Sequence, residues 1–158
     1  MSQWNRRLSS VFHRLVVTWS ILALLAAGLG GPAPAARAAD FSIGCPGGLG
    51  DVAGLIAAIN TANANGEADT ITLTAGCTYT LGAINNTGAL GPNGLPVITT
   101  TLTIEGNGAT LRRGVDALPF RLIEVGAGGA LTINALTLTG GLAGQGGGLL
   151  VNGAGLLT

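Results

Sequence analysis

The stretch "GGALTINALTLTGG", residues 128–141, decides how this chain is read. Leu131 and Ile133 alternate with Thr132 and Asn134, the period-2 signature of a strand with one apolar face. After Ala135 the phase slips: Leu136 and Leu138 become the apolar set, with Thr137 and Thr139 opposite. A one-residue slip sends every following side chain to the other face, so one straight strand cannot satisfy both halves. The chain is therefore expected to turn a corner at Ala135 and lay a second short strand against another sheet of the same core.

Similar units recur outward from this stretch. Leu-Thr pairs fall at Leu73–Thr74, Leu102–Thr103, Leu131–Thr132 and Leu157–Thr158, with spacings of 29, 29 and 26 residues. "TTLTIEGNGATL" and "GALTINALTLT" share the order strand, small or polar corner, second strand. A period of this size with strands in each unit predicts an all-β solenoid, a parallel β-helix whose coils stack equivalent residues into an aliphatic column. Asn-Gly pairs at Asn93, Asn107 and Asn152 are expected at its turns. The final "GAGLLT" repeats the entry of an earlier unit, so the segment reads as truncated, with an open end that invites self-association.

One segment breaks the strand pattern. In "GDVAGLIAAINTANANG", Val52, Leu55, Ile56 and Ile59 fall at i, i+3, i+4 and i+7, Asp51 stands at the N-cap position and Gly66 follows as a stop. A short amphipathic helix is expected there, covering the first coil.

The N-terminus reads as an address. "MSQWNRRLSSVFHR" is basic, "LVVTWSILALLAAGLG" is apolar, and "PAPAARAAD" ends in small residues, the three parts of a secretory leader. Ala36 and Ala38 fit an A-x-A site, placing cleavage between Ala38 and Ala39. The apolar run is shorter than the ~20 residues a spanning helix needs, so membrane contact is expected only through the leader. The predicted layout is a signal peptide over 1–38, an N-terminal cap over 39–69 and the first β-helix coils over 70–158.

Removing the leader takes four of seven arginines, the only histidine and both tryptophans, leaving three arginines against seven acidic residues, a net charge of 3 − 7 = −4. That balance argues against a nucleic-acid partner. Cys45 and Cys77 remain, and in an exported chain such a pair is expected as a disulfide worth roughly 3–4 kcal/mol. With no histidine left, metal binding is not expected, and no cofactor is.

Quoted in order, "LIAAINTANANGEADTITLTAGCTYTL", "NGLPVITTTLTIEGNGATLRR", "FRLIEV" and "GGALTINALTLTGG" resemble secreted bacterial right-handed parallel β-helix proteins, including those opening with a CSLREA-type cap. The cap here is a variant, "CPGGLGDVAGLIAAI" standing where those proteins carry Cys-Ser-Leu-Arg-Glu-Ala. The resemblance spans 45–158 and implies a secreted or cell-surface scaffold.

Candidate chemistry is sparse. "GLGDVA" mimics a dinucleotide fingerprint without its strand context, and "GGLAGQGGGLLV" lacks the aspartates of a calcium-binding repeat. Asn85–Asn86–Thr87 is a formal sequon in a polar loop. Glu105 and Asn134, 29 residues apart, are expected to stack on neighbouring strands about 4.8 Å apart. Two carboxylates there would suit a glycosidase, and Asn134 breaks the pair. Arg112, Arg113 and Asp116 are the weak ligand candidates: the two arginines could hold an anionic sugar or act as a lyase base, and with Asp116 nearby they read as a solvated corner. The expected function is an exported structural or adhesive surface scaffold without catalysis, its partners extracellular glycans or proteins. The alternative is the start of a polysaccharide-active lyase or hydrolase.

Overall fold

Asp51 accepts from the Gly54 amide at 2.8 Å and Gly66 takes a left-handed φ of 74°, closing both ends of helix α1, Val52–Asn65. Leu55, Ala58, Ile59 and Ala62 form its buried face. The computed structural model describes residues 37–88 and 90–158. The leader expected over 1–38 therefore falls largely outside the described residues, and only its last two, Arg37 and Ala38, are seen, both exposed.

A strand that the sequence pattern did not announce precedes this helix. β1, Asp40–Ile43, runs parallel to β2, Asp69–Leu73, with Phe41 opposite Ile71, so β1, α1 and β2 form a crossover unit in which the helix links parallel neighbours. Cys45 follows β1 and is bonded to Cys77, just ahead of β3, Thr78–Leu81. The disulfide expected from the sequence is present, and it ties the entrance of α1 to the sheet.

Next come a hairpin and the two long strands. β4, Asn86–Gly88, and β5, Gly91–Asn93, pair antiparallel. β6, Thr101–Arg113, and β8, Ala130–Thr139, pair parallel along most of their length, while β7, Ile123–Val125, pairs with β9, Leu149–Val151. β10, Leu156–Leu157, lies outside β8 with both leucines exposed. The main sheet has the order β1-β2-β6-β8-β10, with β3 against the second half of β6.

The expected all-β parallel β-helix is corrected by this arrangement. The described residues form a mixed α/β structure: one helix, a six-stranded parallel sheet and two small two-stranded sheets. Strand units recurring every 26 to 29 residues need only parallel neighbours with long returns. Here those returns include a helix that packs one face on the core and an antiparallel hairpin.

The repeat itself is partly in register. Leu102, Leu131 and Leu157 are sheet neighbours, as their spacing implies, but the partner of Leu102 on β2 is Asp69, and Leu73 instead faces Ile43. The rows Ile71–Ile104–Ile133 and Tyr79–Leu111–Leu138 point inward. With Leu55 and Ile59 they belong to one apolar core.

At Ala135 the slip is real and its geometry differs from the expectation. Ala135 has φ 47°, and between the pairs Glu105–Asn134 and Ala109–Leu136 strand β6 spends Gly106, Asn107 and Gly108 where β8 spends Ala135 alone. Both halves of β8 stay in the same sheet, bent by a bulge. Gly106 is obligatory there, since a Cβ would lie 2.6 Å from the Ala135 carbonyl oxygen.

Candidate functional site

Beyond the bulge, alternation sets β3, β6 and β8 side by side with polar residues on one face. The register gives two rows, Thr78–Thr110–Thr137 and Thr80–Arg112–Thr139. β-branched threonines suit a pleated outer surface, and the single long cation among them is Arg112. Thr78, Thr110, Arg112, Thr139 and Val115 line a shallow groove of about 360 Å³. An adjoining hollow shares Arg112 and Val115 and adds Asp116.

The three ligand candidates separate in space. The Arg113 guanidinium is committed to the chain itself, donating from Nε to the Gly140 carbonyl at 2.9 Å and from Nη1 to the carbonyls of Gly114 and Ala117. It pins the 114–117 loop through Nε and Nη1, which leaves only its Nη2 group without a hydrogen-bond partner among the described residues. Arg112 is half-buried, and among the described residues its guanidinium has no hydrogen-bond or ion-pair partner. Asp116 is exposed beside it and forms no ion pair with either arginine. Arg112 is thus the one candidate whose whole guanidinium is uncommitted among the described residues. A guanidinium flanked by hydroxyls can receive a carboxylate or sulfate with two parallel hydrogen bonds while threonines serve its remaining oxygens.

On the other half of the sheet, Glu105 and Asn134 are register partners, as their spacing implied, and the Asn134 amide donates to Glu105 Oε1 at 2.8 Å. The "GLGDVA" glycines serve the local backbone: Gly48 turns the chain at φ 82°, and a Cβ on Gly50 would lie 2.3 Å from the Tyr79 ring.

A buried polar cluster had no signal in the sequence. Arg121 is fully buried and pairs with Glu124 at 2.7 Å, the only ion pair among the described residues. Arg121 also donates to the Leu90 carbonyl, and Asn152 Nδ2 donates to Glu124 Oε1 at 3.3 Å. Asn93, expected in a turn, is instead buried in β5, donating to Asn86 Oδ1 at 2.8 Å. Asn86 in turn donates to the Leu95 carbonyl. The cluster anchors the β4–β5 hairpin over β7. Arg121, Glu124 and Asn93 are closed to solvent, so the role of the cluster is structural. "FRLIEV" concealed it because the cover comes from a hairpin about thirty residues upstream.

No family model, curated protein or solved structure matches this chain.

Proposed function

We propose that this chain is an exported structural or adhesive surface scaffold, non-catalytic in these residues, that meets an acidic extracellular glycan or protein through the groove at Arg112. The observation carrying the reading is the uncommitted Arg112 guanidinium among Thr78, Thr110 and Thr139. It stands on parallel strands whose geometry is fixed by a bulge and a buried core, which suits recognition by a preformed surface. The Cys45–Cys77 disulfide is compatible with an oxidising, extracellular address. Among the described residues no helix is long and apolar enough to cross a membrane. A polysaccharide-cleaving reading gains little, since Glu105 is engaged by an amide instead of facing a second carboxylate.

The test is calorimetric titration of the full chain, purified after secretion, with an acidic polysaccharide and its neutral counterpart. Arg112→Ala should weaken the acidic interaction by roughly tenfold, the value of one charge-assisted contact. Unchanged affinity in Arg112→Ala, or equal binding of the neutral polymer, would overturn the assignment.

A further inference from the structure

Asp69 occupies a position where its sheet neighbours carry leucine. The row runs Asp69–Leu102–Leu131–Leu157, and Asp69 is 2 % exposed. Burying a carboxylate at the start of an apolar row is costly unless the charge is met. Its Oδ1 accepts from the Ala39 backbone nitrogen at 2.6 Å and from Asn65 Nδ2 at 2.9 Å. Among the described residues its buried Oδ2 has no hydrogen-bond partner and no cation pairs with it. Ala39 is held from its other side as well, its carbonyl accepting from the Thr70 amide at 3.0 Å.

The nitrogen facing this carboxylate belongs to the residue that leader removal would expose. We propose that cleavage between Ala38 and Ala39 converts that amide nitrogen into an α-ammonium that docks on Asp69, so that processing completes the fold with an N-terminal ion pair. In the cut, water adds across the Ala38–Ala39 peptide bond, leaving a carboxylate on Ala38 and an amine on Ala39 that takes up a proton. A peptide nitrogen brings one N–H and no charge to the site. An ammonium brings three N–H groups and a positive charge, which supplies both the missing counter-ion and donors for Oδ2. Arg37 and Ala38 are exposed and Ala39 is half-buried, so the chain leaves the site toward the surface just before the bond to be cut.

The proposal rests on the export reading, and the test separates the two. The chain contains no lysine, so its α-amine is its only primary amine and an amine-reactive probe reports on that group alone. In one arm the full chain, with the residues just before Ala39 replaced by a site-specific protease sequence cut on its carboxyl side, is released to begin at Ala39 whatever the cell does. Cutting should raise Tm by about 5 °C. The native α-amine should react at least about tenfold more slowly than in denaturant, and Asp69→Asn should abolish both effects. A folded, cut protein whose amine reacts at the denatured rate, with no change in Tm, overturns the dock. Should Asp69→Asn not fold, labelling of the unaltered protein decides alone. In the second arm the natural chain is expressed in a secreting host. Retention of the leader there, with protection intact in the first arm, refutes export and leaves the dock standing. Processing at Ala39 with a freely reactive amine does the reverse.

Discussion

Replacing Glu124 by glutamine tests the internal electrostatics most sharply. The side chain keeps its shape, while the Arg121 guanidinium, fully buried and 2.7 Å from Glu124 Oε2, loses its counter-charge. Breaking one side of a buried pair costs about 3–5 kcal/mol because the remaining charge stays desolvated. Glutamine can still accept one hydrogen bond, which puts Glu124→Gln near the lower end, about 3 kcal/mol. Against a total stability of about 5–15 kcal/mol this is a large share. With a urea dependence of about 1–3 kcal/mol per molar, the unfolding midpoint should fall by roughly 1–3 M. Urea titration followed by circular dichroism, with the disulfide intact, reads it directly. The double replacement Arg121→Met with Glu124→Leu removes both charges and their desolvation. It should therefore be less destabilised than Glu124→Gln, despite leaving the Leu90 carbonyl without its donor. A midpoint loss below about 0.5 M for Glu124→Gln, or a double variant as poor as the sum of its singles, would show that the buried charge of Arg121 does not depend on Glu124.

The bulge at Ala135 predicts that Gly106→Ala costs at least about 2 kcal/mol, because its Cβ would meet backbone on β8 that cannot swing aside. Gly82→Ala, with nothing within 4 Å of its Cβ, should stay within about 0.5 kcal/mol of the parent in the same thermal melt. Replacing Cys45 and Cys77 together by alanine opens a loop with a sequence separation of 32 and should cost about 3–4 kcal/mol in urea titration. A loss under 1 kcal/mol would mean the unfolded chain is already restricted there.

What could be read from the residues was whatever local chemistry enforces. Asp51 and Gly66 bracket α1 because each satisfies or ends a helix by itself, and both stand at the caps. The slip at Ala135 was legible because period-2 burial allows no compromise. The register of Leu102, Leu131 and Leu157 also followed from spacing. The same spacing misplaced Leu73, since β3 and the hairpin lengthen the return between β2 and β6 and the true partner of Leu102 is Asp69. β1 was missed because four residues beside a leader carry too little pattern. The all-β expectation failed with it, for without β1 the helix looked like a lid over the end when it is a crossover between parallel strands. At the candidate site, Arg112, Arg113 and Asp116 were found by type. Only the folded structure separates an arginine that ties down a loop from one whose whole guanidinium is uncommitted among the described residues. The Arg121–Glu124 pair was hidden because its burial depends on contacts distant in sequence.

We propose that the chain is exported, processed and oxidised before it functions. Intact-mass analysis of the product from a secreting host, with and without alkylation, tests it in one measurement. The predicted result is a chain beginning at Ala39 that takes up alkylating reagent only after reduction, because Cys45 and Cys77 are bonded to each other. A cytosolic product beginning at Met1, with two thiols alkylated under native conditions, would contradict it.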